Sequence, residues 1–506
     1  MFKRIRFRFW LPAALALATL SPALQAADKD TLVVAMTNDA RTLDPHLTND
    51  IFSAQVMVNI YQNLLTLNEK NEVVGQLAEK VRRIDATTYQ FTLKKGVKFH
   101  NLETLKASDV KFSLERAASI SGSAVASVVN AIDKIETPDD LTVVIKLKHP
   151  FAPFFTYLTH VGGGCILNQK AVQEAGASYG QHPVGTGPYR FGKWVRNDSI
   201  ELDAFDGGQD PKPAEKHLLF RVIPESNSRT IELESGGVDV ALQVLPSDVD
   251  KLAGNPRLQV LRVPAMSIQY LGFNCARKPF DDVRVRQAVA DALDVPAIVK
   301  AVYRGIGSPA NGPLPPSMRY CDKGLAVAPR NLDKARQLLA AAGIKPGLEV
   351  QLWTTDRKDR IDMATIIQNQ LKDVGLNVNI KVMDFNAFAA GAIKSQHEMF
   401  IIGFAPSTAD SDNGLYTVFQ SSERGTTNNL ANFASPEMDK LLEQGRTLED
   451  SPARRNIYLG IQKMVVEQRP WVPLYFPDVI VGAQKNVTGL QASPLDMELL
   501  FNVKKQ

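Results

Sequence analysis

The sequence has little of what marks several large protein classes. It holds three cysteines in 506 residues, Cys165, Cys275 and Cys321. So at most one disulfide can form, and a disulfide-stapled scaffold is excluded. The seven histidines, at 46, 100, 149, 160, 182, 217 and 397, show no close paired spacing. There is no H-E-x-x-H, no C-x-x-C and no calcium-loop pattern, so no metal site and no cofactor is expected. A P-loop is absent as well, which excludes that form of nucleotide hydrolysis. No apolar run approaches the roughly 20 residues that span a bilayer.

The chain also lacks a usable excess of charge. Its formal net charge is +4, from 58 basic and 54 acidic residues. Lys3, Arg4, Arg6 and Arg8 stand before the short apolar run Leu11 to Leu20, followed by Pro22 and the small residues Ala26 and Ala27. This is the layout of a secretory signal peptide, with cleavage expected near Ala26 and export to the periplasm. Those four basic residues account for the whole excess, so the mature chain is electrically balanced and no nucleic-acid partner is expected.

What is present is enough chain for more than one core. Single cores stop growing near 250–300 residues, so about two lobes are expected. Thr31 to Ala35 reads as a first strand, followed by a polar loop over 38–50 and an amphipathic helix over Val56 to Leu65. Tyr89, Phe91 and Leu93, and again Leu141, Val143, Ile145 and Leu147, alternate with polar residues at the strand period. Between them Ser108 is placed to cap a helix running to Arg116. Residues 66–181 therefore read as an α+β insertion.

The second half alternates differently. Asn331 caps a helix that Gly343 ends, a strand runs over Leu348 to Trp353, and a helix over Met363 to Val374 ends at Gly375. A strand with Val378, Ile380 and Val382 follows. This is a βαβ pattern. Ligands of such lobes favour the loops beyond the strands' carboxyl ends, here Thr354 to Arg360 and Phe404 to Leu415. No linker separates the lobes, so crossing strands are expected to join them as a hinge.

Several stretches, taken in order, carry a resemblance. They are Tyr89 to Arg116 (YQFTLKKGVKFHNLETLKASDVKFSLER), Pro183 to Tyr189 (PVGTGPY), Pro279 to Ala288 (PFDDVRVRQA), Val302 to Pro316 (VYRGIGSPANGPLPP) and Trp471 to Tyr475 (WVPLY). Together they resemble the oligopeptide-, dipeptide- and glutathione-binding proteins of ABC importers, solute-binding family 5. Gly403 to Asn413 is most similar to the glutathione- and dipeptide-binding members.

The resemblance implies an α/β, two-lobed periplasmic binding protein fold of type II, in the large peptide-binding subclass. It carries an extra α+β subdomain in the first lobe and a ligand cleft between lobes. Lobe I would comprise 27–65, the insertion 66–181, 182–270 and a return over 479–506, with lobe II at 271–478. The implied function is capture of di- or tripeptides, or glutathione-like peptides, by lobe closure and delivery to an inner-membrane ABC permease. The protein would act as a monomer and perform no catalysis. A non-peptide solute (an opine, sugar or metal chelate) is the alternative on the same fold, and a secreted hydrolase is the third reading.

Two departures stand out. Asn101 and Leu102 occupy a turn where the family often has Asp-Gly. Ser407 stands where dipeptide binders often carry an acid for the ligand ammonium.

A buried peptide needs a counter-charge at each end. Arg357 or Arg360 is placed to grip a carboxylate in the two-pronged manner of guanidinium, and Asp410 or Asp412 to accept from an ammonium. Each also reads as a solvated loop charge. Met36 and Asn38, after the first strand, are expected on the opposite wall. Tyr270, Asn274, Phe404 and Ser407 complete the candidate ligand-binding set, with Tyr270 and Phe404 reading equally as core aromatics. Gly176-Ala177-Ser178-Tyr179-Gly180 matches the G-x-S-x-G elbow, but a helix precedes it where the elbow needs a strand.

Overall fold

The computed structural model describes residues 30–68, 72–208 and 212–506. The signal-peptide segment lies outside them. The first lobe is built on a seven-stranded sheet. Its order is Leu258–Pro264, Asp478–Gln484, Val240–Ala241, Thr31–Met36, His217–Val222, Ser199–Ala204 and Tyr189–Val195. Thr31–Met36 lies inside the sheet, parallel to both neighbours, and is buried on both faces, as its unbroken apolar run demands.

The second lobe is built on a six-stranded sheet. Its order is Ser308–Pro309, Trp471–Phe476, Ile268–Phe273, Met399–Phe404, Leu348–Thr355 and Leu376–Met383. The expected βαβ unit is there. Leu348–Thr355 pairs in parallel with Leu376–Met383 through the helix Lys358–Lys372. Asn331 caps its helix by accepting from Lys334 N at 3.0 Å.

An antiparallel four-stranded sheet, ordered Ala78–Arg83, Thr88–Leu93, Thr142–Leu147 and Ile132–Asp139, forms the extra subdomain with its own core around Phe91, Leu114 and Ile145. It is tied to the first lobe by the largely buried Arg116–Asp44 pair at 2.6 Å.

Two local readings are corrected. The first helix is Ile51–Met57, not Val56 to Leu65, and Asp50 caps it by accepting from Ser53 N at 2.9 Å. The chain beyond Met57 cannot stay helical because its carbonyls have other partners: Asn59 O accepts from Tyr189 N and Ile60 O from Gly187 N. Ser108 is not a cap either. The helix Ala107–Ser119 starts one residue earlier, with the Asp109 carboxylate accepting from Lys106 N at 3.0 Å.

The lobes are joined at two points. Leu258–Pro264 ends in the seven-stranded sheet and Ile268–Phe273 begins in the six-stranded one. Trp471–Phe476 ends in the latter and Asp478–Gln484 begins in the former. Connections of three residues and of one hold the two sheets close while leaving a narrow pivot. The three cysteines form no disulfide.

Candidate functional site

The crossings fix which edges of the two sheets face each other. In the second lobe that edge holds the start of Ile268–Phe273, the end of Trp471–Phe476 and the end of Met399–Phe404, since Ile268 pairs with Phe404 and Gln269 with Tyr475. The carboxyl end of Leu348–Thr355 lies there too, because Thr354 pairs with Ile401. In the first lobe the same logic places Met36 and the loop after it at the facing edge: Ala35 pairs with Ala241, and Ala241 with Gly482. Both sets of parallel strands therefore point their carboxyl ends into one cleft, where α/β ligand sites form.

Arg360, in the first turns of the helix Lys358–Lys372, is the principal charge on the second wall. It is buried. Its Nε donates to Gln269 Oε1 at 3.1 Å and its Nη1 to Thr355 Oγ1 at 2.9 Å, both neutral acceptors. It forms no ion pair among the described residues. Burial, and next the adjacent Arg357 charge, pull its guanidinium down to about 10. A buried cation without an anion carries a charge that a carboxylate could neutralise. Arg357 differs: it is exposed and paired with Asp359 at 2.7 Å.

The loop after Met399–Phe404 does not leave its acids open. Asp410 caps the helix Ser411–Phe419, accepting from Asp412 N at 2.9 Å, and takes both terminal nitrogens of buried Arg454 at 2.9 and 2.7 Å. Asp412, fully buried, pairs with Arg446 at 3.1 Å. Burial pushes its carboxyl up to about 7, against the opposing pull of Arg446. Ser407 is exposed, and its backbone N–H donates to Asn413 Oδ1 at 2.7 Å. Phe404 is half-buried at the cleft edge.

The extra subdomain closes one side. Its segment Phe151 to Tyr157 rests on the second lobe: Ala152 N donates to Arg446 O at 2.7 Å, and Asn413 Nδ2 to Tyr157 Oη at 3.4 Å. The Arg446 guanidinium lies between the Tyr416 ring, at 3.5 Å, and the Phe151 ring, at 5.0 Å.

The remaining candidates divide. Asn38 is exposed in the loop after the first strand, whereas Met36 is wholly buried in the first lobe's core. Tyr270 faces the second lobe's core, its ring 3.9 Å from Trp471. Asn274 lies beyond the far end of Ile268–Phe273, roughly 20 Å from the cleft edge at about 3.3 Å per strand residue. Its amide donates to Ser395 and to His397 O. The structure thus brings Asn38, Phe404, Ser407 and Arg360 to the cleft and leaves Asn274 apart. Gln269 and Thr355 were not singled out from the sequence. Their roles rest on Arg360, 91 and 5 positions away, so only the Arg360–Thr355 spacing was locally visible.

The elbow-like Ser178 is exposed in a turn that follows the helix Gln169–Ala175, and its Oγ donates to Ala175 O at 2.7 Å. No histidine, cysteine or carboxylate cluster suited to a metal occurs among the described residues.

Comparison with known proteins agrees with this geometry. The sequence model described as bacterial extracellular solute-binding proteins, family 5 middle, matches residues 72–426. The chain is 32% identical over 495 residues to the glutathione-binding protein GsiB of Salmonella paratyphi A, covering 96% of each. Among solved structures it is similar to the ABC transporter-associated periplasmic binding protein DppA of Helicobacter pylori in complex with the peptide STSA. That match has 27% identity and a TM-score of 0.82, over 94% of this chain and 98% of the other. It is also similar to AgaA of A. tumefaciens R10 in complex with agropinic acid, with 28% identity and a TM-score of 0.80, over 94% and 99%.

Proposed function

We propose that this chain, which belongs to family 5 of the bacterial extracellular solute-binding proteins, captures di- or tripeptides or glutathione-like peptides between its lobes and delivers them to an inner-membrane ABC permease. The observation that carries the ligand class is Arg360, a buried guanidinium at the cleft edge with neutral hydrogen-bond partners and no anion of its own. A peptide's terminal carboxylate is the complementary group.

Affinity for the closed state does the work. A solute touching both walls stabilises closure by its extra affinity for that state, and the permease reads the closed form. Neither step alters the solute, and the chain acts as a binding protein rather than an enzyme. It works in the periplasm as a monomer, after removal of the leader near Ala26.

The reading is tested by native mass spectrometry of protein purified without denaturation. The expected result is co-purifying peptide or glutathione, with the same compounds raising the melting temperature of the stripped protein. A bound opine, sugar or metal chelate, with no shift from any peptide, overturns it.

A further inference from the structure

Several charges around the cleft have counter-ions. Asp410 has Arg454, Asp412 has Arg446, and Arg357 has Asp359. Arg360 in the second lobe has no anion, and in the first lobe Asp496 has no cation, among the described residues.

Asp496 lies in the segment 493–498, over the edge where the first strand ends. Gln243 Nε2 donates to its Oδ2 at 3.3 Å, and Gln243 is itself held by Thr37 Oγ1, which donates to Gln243 Oε1 at 2.9 Å. The segment also touches the crossing and the other lobe: Met266 N donates to Pro494 O at 2.7 Å, and Leu495 packs on the second lobe's core. Asp496 Oδ1 is shut off from solvent and has no hydrogen-bond partner.

Beneath it, Glu498 is 0% exposed, with Oε2 equally unpartnered and Oε1 accepting from Ser493 N at 3.4 Å. Both carboxyls are held above the usual carboxylate range, by burial in each case and by the Asp496 charge in the case of Glu498. Gln243 and Asp496 also sit at φ 49° and 55°, the left-handed region that non-glycine residues occupy at an energetic cost. Two strained residues hydrogen-bonded to each other, with one buried carboxylate oxygen left unpartnered beside the cleft, form a built acceptor for a cation.

We propose that Asp496, oriented by Gln243 and backed by Glu498, receives the ligand's ammonium group, so that a zwitterionic peptide spans from Asp496 in the first lobe to Arg360 in the second. This rests on the peptide reading above. It places the acid that position 407 lacks on the opposite wall, and makes the ligand itself the ion bridge that draws the lobes together.

The test is calorimetric titration of the stripped full-length protein with glutathione and the dipeptide Ala-Leu, each free and N-acetylated. Wild type is expected to bind the acetylated forms at least about 30-fold more weakly. Asp496→Asn is expected to weaken the free peptides by a similar factor and to abolish the discrimination, while the separate penalty for amidating the carboxyl end persists. Gln243→Leu, which removes the hydrogen bond to the Asp496 carboxylate, narrows the discrimination and serves if the first variant does not fold by its thermal transition. Equal binding of free and acetylated peptides by wild type, or full discrimination kept by the variants, overturns the ammonium site and leaves the peptide reading standing. Failure of wild type to bind any free peptide overturns both.

Discussion

Asp410 grips Arg454 with both carboxylate oxygens, at 2.9 and 2.7 Å, in a place where each side chain is only 1% exposed. The pair fastens the loop after Met399–Phe404 to the helix Pro452–Gln468, and Arg454 Nε, donating to Gly445 O at 2.9 Å, ties in the helix Pro436–Thr447. A buried pair broken from one side leaves an uncompensated charge. Arg454→Met is therefore expected to lower unfolding free energy by about 3–5 kcal/mol. Asp410→Asn should do the same, so any loss of binding it causes will track loss of fold in urea denaturation.

Arg360 should behave in the opposite way. Arg360→Gln keeps polar contact with Gln269 and Thr355 but removes the cation. It is expected to weaken carboxylate-bearing peptides by about 2–5 kcal/mol. Binding of C-amidated peptides should change far less, and isothermal titration of both forms reads the difference. Arg357→Gln, which loses only an exposed pair, should leave both unchanged within about 1 kcal/mol.

His100 joins two of the stretches that carry the family resemblance. Its Nδ1 accepts from Gly185 N at 3.2 Å and its Nε2 faces Gly187 O at 3.0 Å, which ties the G-V-K-F-H turn to P-V-G-T-G-P. Neither glycine tolerates a side chain: an added Cβ would stand 2.1 Å from Ile60 O at Gly185 and 2.6 Å at Gly187. Burial holds His100 neutral, down to about 4. His100→Ala and Gly185→Ala are both expected to destabilise the protein by about 2–4 kcal/mol in denaturant unfolding. Binding by the folded fraction should be unaffected.

Glu498 gives a pH signature. Burial and the Asp496 charge push it up to about 8, above its unfolded value. The native state then holds the extra proton between the unfolded and folded values. The stability this confers is fully present below about pH 4.5 and is lost as pH rises through 8. Asp496 shifts the same way, up to about 6, so its contribution fades earlier. Glu498→Gln is expected to raise the melting temperature at pH 8.5 and to change little at pH 5.

How much of this was readable beforehand follows from the range of the interactions. Alternation in Tyr89 to Leu93 and Thr142 to Leu147, and the cap at Asn331, are local and were legible. The helix placed at Val56 to Leu65 was not, because distant Gly187 and Tyr189 claim the carbonyls that would have continued it. Arg360 was marked by its place after a strand. Its difference from Arg357 depends on Gln269, across the sheet. Asp496 and Glu498 were missed, although two acids in the apolar stretch Leu495 to Phe501 were a signal. Their want of a cation is visible only in three dimensions.

The central claim is that the cleft takes a solute with a free carboxylate on Arg360. The most direct measurement is titration of stripped wild type and Arg360→Gln with glutathione and short peptides, followed by heat and by thermal shift. The account predicts saturable one-site binding and a raised melting temperature for wild type, both sharply reduced in Arg360→Gln. Peptide binding of undiminished strength in Arg360→Gln, or stabilisation of wild type only by solutes without a carboxylate, would contradict it.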